Sequence, residues 1–220
     1  MKNLVFVIVL LAWAALGCKM FGSSSESNTS TGANHPSTET APAKSSSTGD
    51  PKADLIAASK KFGELPMFKV VMDLKSAQNM RIEMEYIAPD RFHMKNGSTM
   101  DIIAIGSNTY MKTGGKWQKV QVNMADSISK MRDSFNEEGI KSLDSVEIVG
   151  EENINGKDAI IYSSNGTLPA DGKKYKSKTW VSKSDGLPIK IEVVYAEGDL
   201  KHMTTNYDTD SKITIDAPID

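Results

Sequence analysis

Histidine is the side chain best suited to acid–base chemistry near neutral pH, and this chain has only three, at positions 35, 93 and 202. None of them has a partner at the spacing of a metal-ligand motif, and the sequence contains no HExxH, GxSxG or phosphate-binding loop. Cys18 is the only cysteine, which excludes an intramolecular disulfide and a thiolate metal site. These patterns predict a protein that is not an enzyme and uses no metal or cofactor, in which His93 and His202 are surface residues of strands.

Cationic residues could instead bind a charged ligand. Arg91, after Pro89 and Asp90, is either a surface charge beside a turn or a group at a cavity rim that holds the phosphate or carboxylate headgroup of a ligand. A second group is a run of lysines, which indicates either a solvated edge strand or a patch for anionic lipid. The run consists of Lys173, Lys174, Lys176 and Lys178. The net charge of −2 argues against a nucleic-acid partner.

Methionine is the most informative apolar residue of the chain. Of 12 methionines, ten lie in residues 51–220, and their flexible, polarizable side chains suit a cavity that adapts to variable acyl chains. Ordinary core filling is the alternative interpretation. The ten are Met67, Met72, Met80, Met84, Met94, Met100, Met111, Met124, Met131 and Met203.

Alternation of apolar and polar residues predicts the elements that must position these side chains. In Met80–Ile87, every second residue is apolar, as in an antiparallel strand with one wet face. Glycine-containing turns such as Asn96-Gly97 and Gly114-Gly115 separate such segments. The pattern predicts strands over Phe68–Lys75, Met80–Ile87, Arg91–Lys95, Ser98–Ile105, Asn108–Thr113, Lys116–Val122, Ser142–Val149, Lys157–Ser164, Tyr175–Lys183, Leu187–Ala196 and Asp199–Asp208.

Two segments have helical spacing. Asp50, Pro51 and Gly63 are suited to the cap, first turn and end of a helix, and a second helix is predicted near Asn123–Phe135. About ten strands in hairpin order are too many for a flat open sheet, so twist should curl them. The predicted fold class is therefore α+β: a strongly curved antiparallel sheet, or incomplete β-barrel, with helices covering its concave face.

The order of these elements resembles the LolA/LolB carriers and the LppX/LprG lipoproteins, which share a half-barrel closed by helices. The resemblance covers most of residues 55–218. It depends on strand-and-turn motifs at Ala88–Phe92, Ile105–Lys112, Gly115–Lys119 and Thr179–Pro188. It implies a protein that binds acyl chains or a lipidated protein between sheet and helices, as a carrier or receptor. The alternative is a protein-interaction or sensing module of the same fold, with a filled core and no ligand.

If the half-barrel holds a ligand, its inward face must stay partly unfilled. We expect five apolar residues to line this cavity and three residues of the second helix to cover it, with Arg91 available for a headgroup. The lining residues are Leu74, Met84, Ile103, Ile191 and Val193, and the covering residues are Met124, Ile128 and Met131.

The first 50 residues predict export and anchoring. Residues 1–17 have a positive start, the apolar run Leu4–Leu11 and small residues before Cys18, as in a signal peptide. Ala15–Cys18 resembles a bacterial lipobox, which implies a palmitate-type lipid anchor on Cys18 in the cell envelope; an ordinary signal with an incidental cysteine is the alternative. By analogy, Lys19 implies the outer membrane in a diderm cell, and otherwise the outer face of the cytoplasmic membrane.

A spacer would join this anchor to the domain. Residues 18–50 are rich in Ser and Thr and have too few large apolar residues to fold, so they predict a disordered tether. A flexible tether of this length reaches about 30 Å. A glycosylated stalk is the other interpretation of the same composition. Residues 51–220 then form one domain, expected to be a monomer.

Overall fold

The computed structural model describes residues 49–124, 140–168 and 172–219. They form one helix and eleven strands, and the strands pair in a single sheet. The helix α1 spans Pro51–Gly63. The strands are β1 Met67–Lys75, β2 Met80–Ile87, β3 Arg91–Asn96, β4 Met100–Ile105, β5 Asn108–Thr113, β6 Lys116–Val120, β7 Ser145–Ile154, β8 Lys157–Thr167, β9 Lys174–Ser182, β10 Pro188–Tyr195 and β11 His202–Asp208.

Helix α1 begins and ends where the sequence predicts. The Asp50 side chain accepts hydrogen bonds from the backbone N–H groups of Lys52 and Ala53, and Pro51 occupies the first turn, where its missing N–H costs nothing. Leu55, Ala58 and Phe62 are buried, because their spacing places them on one side of the helix. The helix therefore has one apolar side, which packs on the sheet.

The sheet consists of two antiparallel meanders joined through its centre. Its strand order is β6-β5-β4-β3-β2-β1-β11-β10-β9-β8-β7. Strand β1 pairs with β11 as well as with β2, so the first and last strands lie side by side, and β6 and β7 form the two open edges. The predicted α+β half-barrel is confirmed, and each of its eleven strands overlaps one of the predicted segments. The predicted second helix lies outside the described residues from position 125 onward.

The inner face of the sheet, defined as the face that contacts α1, holds most of the core. Val70, Met84, Met94 and Ile102 lie opposite one another on β1 to β4 and are all buried. Phe62 of α1 packs among them. Its ring centroid lies 4.6 Å from that of Phe68 and 5.0 Å from that of Tyr207. We call this cluster the helix-covered core.

The outer face carries a separate apolar cluster under the C-terminal segment. Ile215 is buried there against Ile103 and Tyr110, and the half-buried Ile213 and Trp117 complete the contact. The last residues of the chain therefore cover the outer side of β3 to β6. Their contribution makes this part of the sheet apolar on both faces.

One interpretation of the lysine run is wrong. Strand β9, which carries Lys174, Lys176 and Lys178, is not an edge strand, because it pairs with β10 on one side and β8 on the other. Protection of a free strand edge therefore does not explain these lysines.

Candidate functional site

A second apolar cluster occupies the inner face beyond the end of the helix-covered core. We call it the open cluster. Leu74, Val193 and Met203 are its buried centre. Half-buried residues surround this centre, namely Met72, Met80, Ile82, Tyr175, Ile191, Tyr195 and Leu200.

Strand register assembles the open cluster. Leu74 on β1 lies opposite Met203 on β11, and Met203 lies opposite Val193 on β10. Residues two apart along a strand share a face, so Met72 and Ile191 join the same surface. Residues far apart in the sequence, from 72 to 203, thus form one continuous apolar surface because β1 and β11 are neighbours.

The open cluster has a polar and aromatic border on β8 and β9. Beyond Val193 the inner face continues to Ser177, whose hydroxyl lies 2.6 Å from that of Ser164. The Tyr175 ring lies against Gly166, where an added Cβ would be 2.4 Å from the tyrosine hydroxyl, so only glycine leaves room for it. The apolar surface therefore ends at a pair of hydroxyls and an aromatic ring.

The two tyrosines of the cluster are uncharged at neutral pH. Burial raises the pKa of Tyr195 to about 12, with a smaller effect from Tyr175. Burial also raises the pKa of Tyr175, and the nearby Asp144 adds to this. Their ring centroids are 6.4 Å apart. They present apolar ring surface with neutral hydroxyls, which can line a site for an uncharged or amphipathic chain.

No residue of α1 belongs to the open cluster. All its members belong to β1, β2, β9, β10 and β11, except Leu200, which lies in the turn between β10 and β11. Phe62 of α1, by contrast, lies in the helix-covered core, and Leu55 and Ala58 pack on Tyr162 and Val181. Met72, Ile82 and Ile191 contact both the open cluster and the helix-covered core, so the apolar surface is continuous between them.

Comparison with solved structures places this sheet in a known architecture. LprF from Mycobacterium bovis superposes with a TM-score of 0.57 at 12% identity, over 77% of this chain and 99% of LprF. The lipoprotein LppX from Mycobacterium tuberculosis gives 0.53 at 10% identity, over 75% of this chain and 97% of LppX. The chain has an LppX-like fold. No protein-family model and no curated protein matches the sequence. The fold resemblance predicted from the strand-and-turn motifs is confirmed.

The LppX-like sheet brings together three of the predicted lining residues. Leu74, Ile191 and Val193 all belong to the open cluster. Met84 is buried in the helix-covered core next to it, and Met124 packs against the same core. Ile128 and Met131 lie outside the described residues.

Ile103 does not line the predicted surface. It lies opposite His93 and Tyr110 on the outer face, whereas its neighbour Ile102 lies opposite Met94 on the inner face. The reason is that Ile102 and Ile103 are both apolar, so alternation alone could not assign β4 to one face. Ile103 instead packs under Ile215 of the C-terminal segment.

Arg91 is also on the outer face and holds the chain's own C-terminal segment. Its guanidinium donates a 2.6 Å hydrogen bond to the Ile215 carbonyl and lies 3.7 Å from the Asp216 carboxylate. In this position it contacts no part of the open cluster. The predicted headgroup contact therefore has no geometric support, and a structural role for Arg91 accounts for its position.

His93 lies among acidic side chains. On the outer face, His93 lies between two carboxylates, with its Nε2 2.8 Å from Asp101 and its Nδ1 3.5 Å from Glu85. Among residues 49–124, 140–168 and 172–219, no group of three or more His, Cys, Asp or Glu side chains could hold a metal ion. In the same ranges, no helix combines the length and the hydropathy needed to cross a bilayer. His93 acts as the link between acidic side chains of β2 and β4.

A pocket of about 320 Å³ opens on the outer face, between β1, β10, β11 and two hairpin turns. Its walls mix apolar residues such as Ile189 with charged ones. Lys157 crosses it, 2.8 Å from Asp210 and 3.7 Å from Asp185, and the hydrogen bond to Asp210 is the main cause of the raised pKa of Lys157. This crevice has charged residues that pair with one another, and it lies on the opposite face of the sheet from the open cluster.

Sequence reasoning missed most of the open cluster. The sequence identifies Met72, Met80 and Met203 only as methionines of the domain, and it places Tyr175 and Tyr195 only within strands. Spacing is the signal that connects them. Each is separated by an even number of positions from Leu74, Met84 or Val193 in its own strand or hairpin, as residues on one face of a sheet are. Which strands lie side by side, however, depends on the β1–β11 pairing.

Proposed function

We propose that this chain is an envelope lipoprotein that binds acyl chains, or the acyl chains of a lipidated client, at the open cluster. It acts as a carrier or receptor and performs no covalent chemistry. The observation that carries this proposal is a continuous apolar surface, formed by neighbouring strands, to which α1 contributes no side chain. Contact of an apolar ligand with such a surface is favourable because it removes apolar area from water.

The side chains of the open cluster suit a variable apolar ligand. Met72, Met80 and Met203 are unbranched and can repack around chains of different length. The hydroxyls of Ser164 and Ser177 mark the border of the apolar surface, where the polar end of an acyl chain would lie. A ligand site of this kind is mostly apolar with a few polar groups that fix orientation.

The same proposal includes the N-terminal organisation. Residues 1–17 are a signal peptide, Cys18 carries the lipid, and residues 18–50 form the tether of a domain that begins at residue 51. The protein is then a monomer bound to the membrane by its lipid, in the envelope compartment that the lipobox and Lys19 imply. LppX, which shares the fold, is itself described as a lipoprotein.

Metabolic labelling with a fatty acid tests the anchor. The label should appear in the wild type and not in Cys18→Ala, and an unlabelled wild type would disprove the anchor.

Ligand binding is tested by native mass spectrometry of the protein purified from cells, with fluorescent fatty-acid titration as the quantitative measurement. We expect bound lipid, and we expect Met80→Gln to weaken fatty-acid binding about fivefold, since a polar amide then faces the apolar chain. Met111→Gln is the matched control, because Met111 lies on the inner face of β5, outside the open cluster, and is 36% exposed.

Two results would contradict the ligand site. If no lipid copurifies and the wild type binds no fatty acid, the filled-core interaction module replaces the carrier. If Met80→Gln and Met111→Gln weaken binding equally, the ligand binds elsewhere on the protein.

A further inference from the structure

A group of lysines lies together on the outer face, at the end of the sheet where β1 stops and β9 starts. Lys176 on β9 lies opposite Val194 on β10, Val194 lies opposite His202 on β11, and His202 lies opposite Lys75 on β1. Lys174 and Lys178 flank Lys176 on the same face of β9. We call Lys75, Lys174, Lys176 and Lys178 the lysine patch.

The patch is exposed, and Glu192, opposite Lys178 on β10, is the acidic residue directly next to it in the sheet. All four side chains are exposed, and among the described residues none has an ion-pair partner within 4 Å. The nearest acidic residues within the strands have other partners: Glu192 pairs with Lys190, and Asp73 pairs with Arg81. Glu147 on β7 lies in the row of Lys178, with Ser163 between them, and Asp144, Glu197 and Asp199 lie in loops at this end of the sheet.

The patch also has an apolar centre. Val194, on the row between Lys176 and Lys75, is 54% exposed, which is high for an apolar residue in an interior strand. Neighbouring strands are about 4.8 Å apart, so Lys75 and Lys176 lie roughly 15 Å from each other across three strand spacings. Cationic groups spread over this distance around an apolar centre fit an extended anionic surface better than a small anion.

The chain enters the domain at the same end. Lys52, in the first turn of α1, donates hydrogen bonds to the carbonyls of Lys141 and Leu143. The next residue, Asp144, donates through its backbone N–H to Asn165, and Asn165 lies opposite Lys176 on β9. The segment that leads back to Cys18 therefore joins the domain beside the lysine patch.

From these observations we infer that the lysine patch docks on the anionic phospholipid headgroups of the membrane to which the tether is attached. This inference rests on the proposed lipid anchor, and it adds an orientation to it. Each lysine near such a surface strengthens binding about fivefold, because the attraction is about 1 kcal/mol per cationic residue. Docking brings the β1–β9 end of the sheet, which also carries the open cluster on its inner face, next to the bilayer.

The test is vesicle flotation with unlipidated residues 18–220 carrying Cys18→Ser. Vesicles of pure phosphatidylcholine are compared with vesicles containing 30 mol % phosphatidylglycerol, at low and high salt. We expect binding only to the anionic vesicles, a loss at high salt because surface charges are screened, and at least a tenfold loss in K174E/K176E/K178E. The control K95E/K116E/K119E reverses three exposed lysines elsewhere and should change binding less than twofold.

Several results would overturn the docking surface. These are equal binding to both vesicle types, an equal loss in the control variant, or binding to soluble dextran sulfate without binding to anionic vesicles. If the triple variant does not fold, Lys176→Gln replaces it, with an expected loss of about fivefold. Fatty-acid binding should be unchanged in every lysine variant, so a failure of docking is distinguishable from a failure of the proposed ligand site.

Discussion

The inner face of the sheet has two apolar halves, and only one of them includes a residue of α1. In one half, Phe62 of α1 packs between Phe68 and Tyr207, and the residues beneath it are almost fully buried. In the other half, the open cluster has three buried residues at its centre and half-buried ones around it. The same strands contribute to both halves. The clusters therefore differ in the helix contact: α1 contributes a ring to the helix-covered core and no side chain to the open cluster.

This comparison has a physical consequence for stability. Side chains covered on both sides make contacts in every direction, and their removal leaves a cavity. Side chains covered on one side only lose less when they are truncated, because water or a ligand already contacts them. Variants in the two halves should therefore differ in stability even when the residue types are similar.

The largest difference is expected for aromatic truncation. Phe62→Ala should lower the free energy of unfolding by about 3–5 kcal/mol, since it removes a fully buried ring. Tyr195→Ala in the open cluster should cost less than half as much, since Tyr195 is only half-buried. Urea denaturation measures both. Equal costs would mean that the open cluster is packed as fully as the helix-covered core.

Added bulk should separate the halves in the opposite way. Met84→Phe should cost about 1–3 kcal/mol, because an enclosed core cannot accept a larger ring without strain. Ile191→Phe should be nearly neutral for stability and should reduce fatty-acid binding, because its ring extends into the ligand site. The measurements are the unfolding midpoint and a fluorescent fatty-acid titration on the same samples. A destabilised Ile191→Phe together with no binding by the wild type would exclude the carrier.

The smallest effect is expected on the outer face. Arg91→Ala should cost about 1 kcal/mol or less, because it removes a partly exposed hydrogen bond to Ile215. It should also loosen the C-terminal segment, so that trypsin cleaves after Lys212 more rapidly than in the wild type. Fatty-acid binding should not change. A weaker fatty-acid affinity in Arg91→Ala would return this residue to a role at the ligand.

Local structure was largely predictable from the sequence. The limits of α1 follow from Asp50, Pro51 and Gly63, and the strands follow from alternation and glycine turns. These signals are local, since capping and turn conformation depend on neighbouring residues. Leu74, Ile191 and Val193 share one face of the sheet for the same reason: each belongs to a strand with a clear apolar face.

The failures concern long-range structure. Ile103 was assigned to the wrong face because the C-terminal segment makes the outer side of β4 apolar as well, and no local pattern shows that Ile215 packs there. The lysine run also fits an edge strand by its composition, but β9 pairs with both β8 and β10, and the residues of one strand do not show how many of its edges are paired. Both facts depend on tertiary contacts that alternation does not encode.

The central claim is that an acyl chain binds on the inner face at the open cluster. Photo-crosslinking with a diazirine fatty acid, followed by peptide mapping, tests it directly. Adducts are expected on peptides containing Met80, Ile191–Tyr195 or Met203. Excess free palmitate should reduce their yield by competition, and Met80→Gln should reduce it as well. Two results would contradict the claim. One is that adducts form only on the outer face, at Ile103, Tyr110 or the Lys157 pocket. The other is that the wild type gives no adducts that free palmitate reduces.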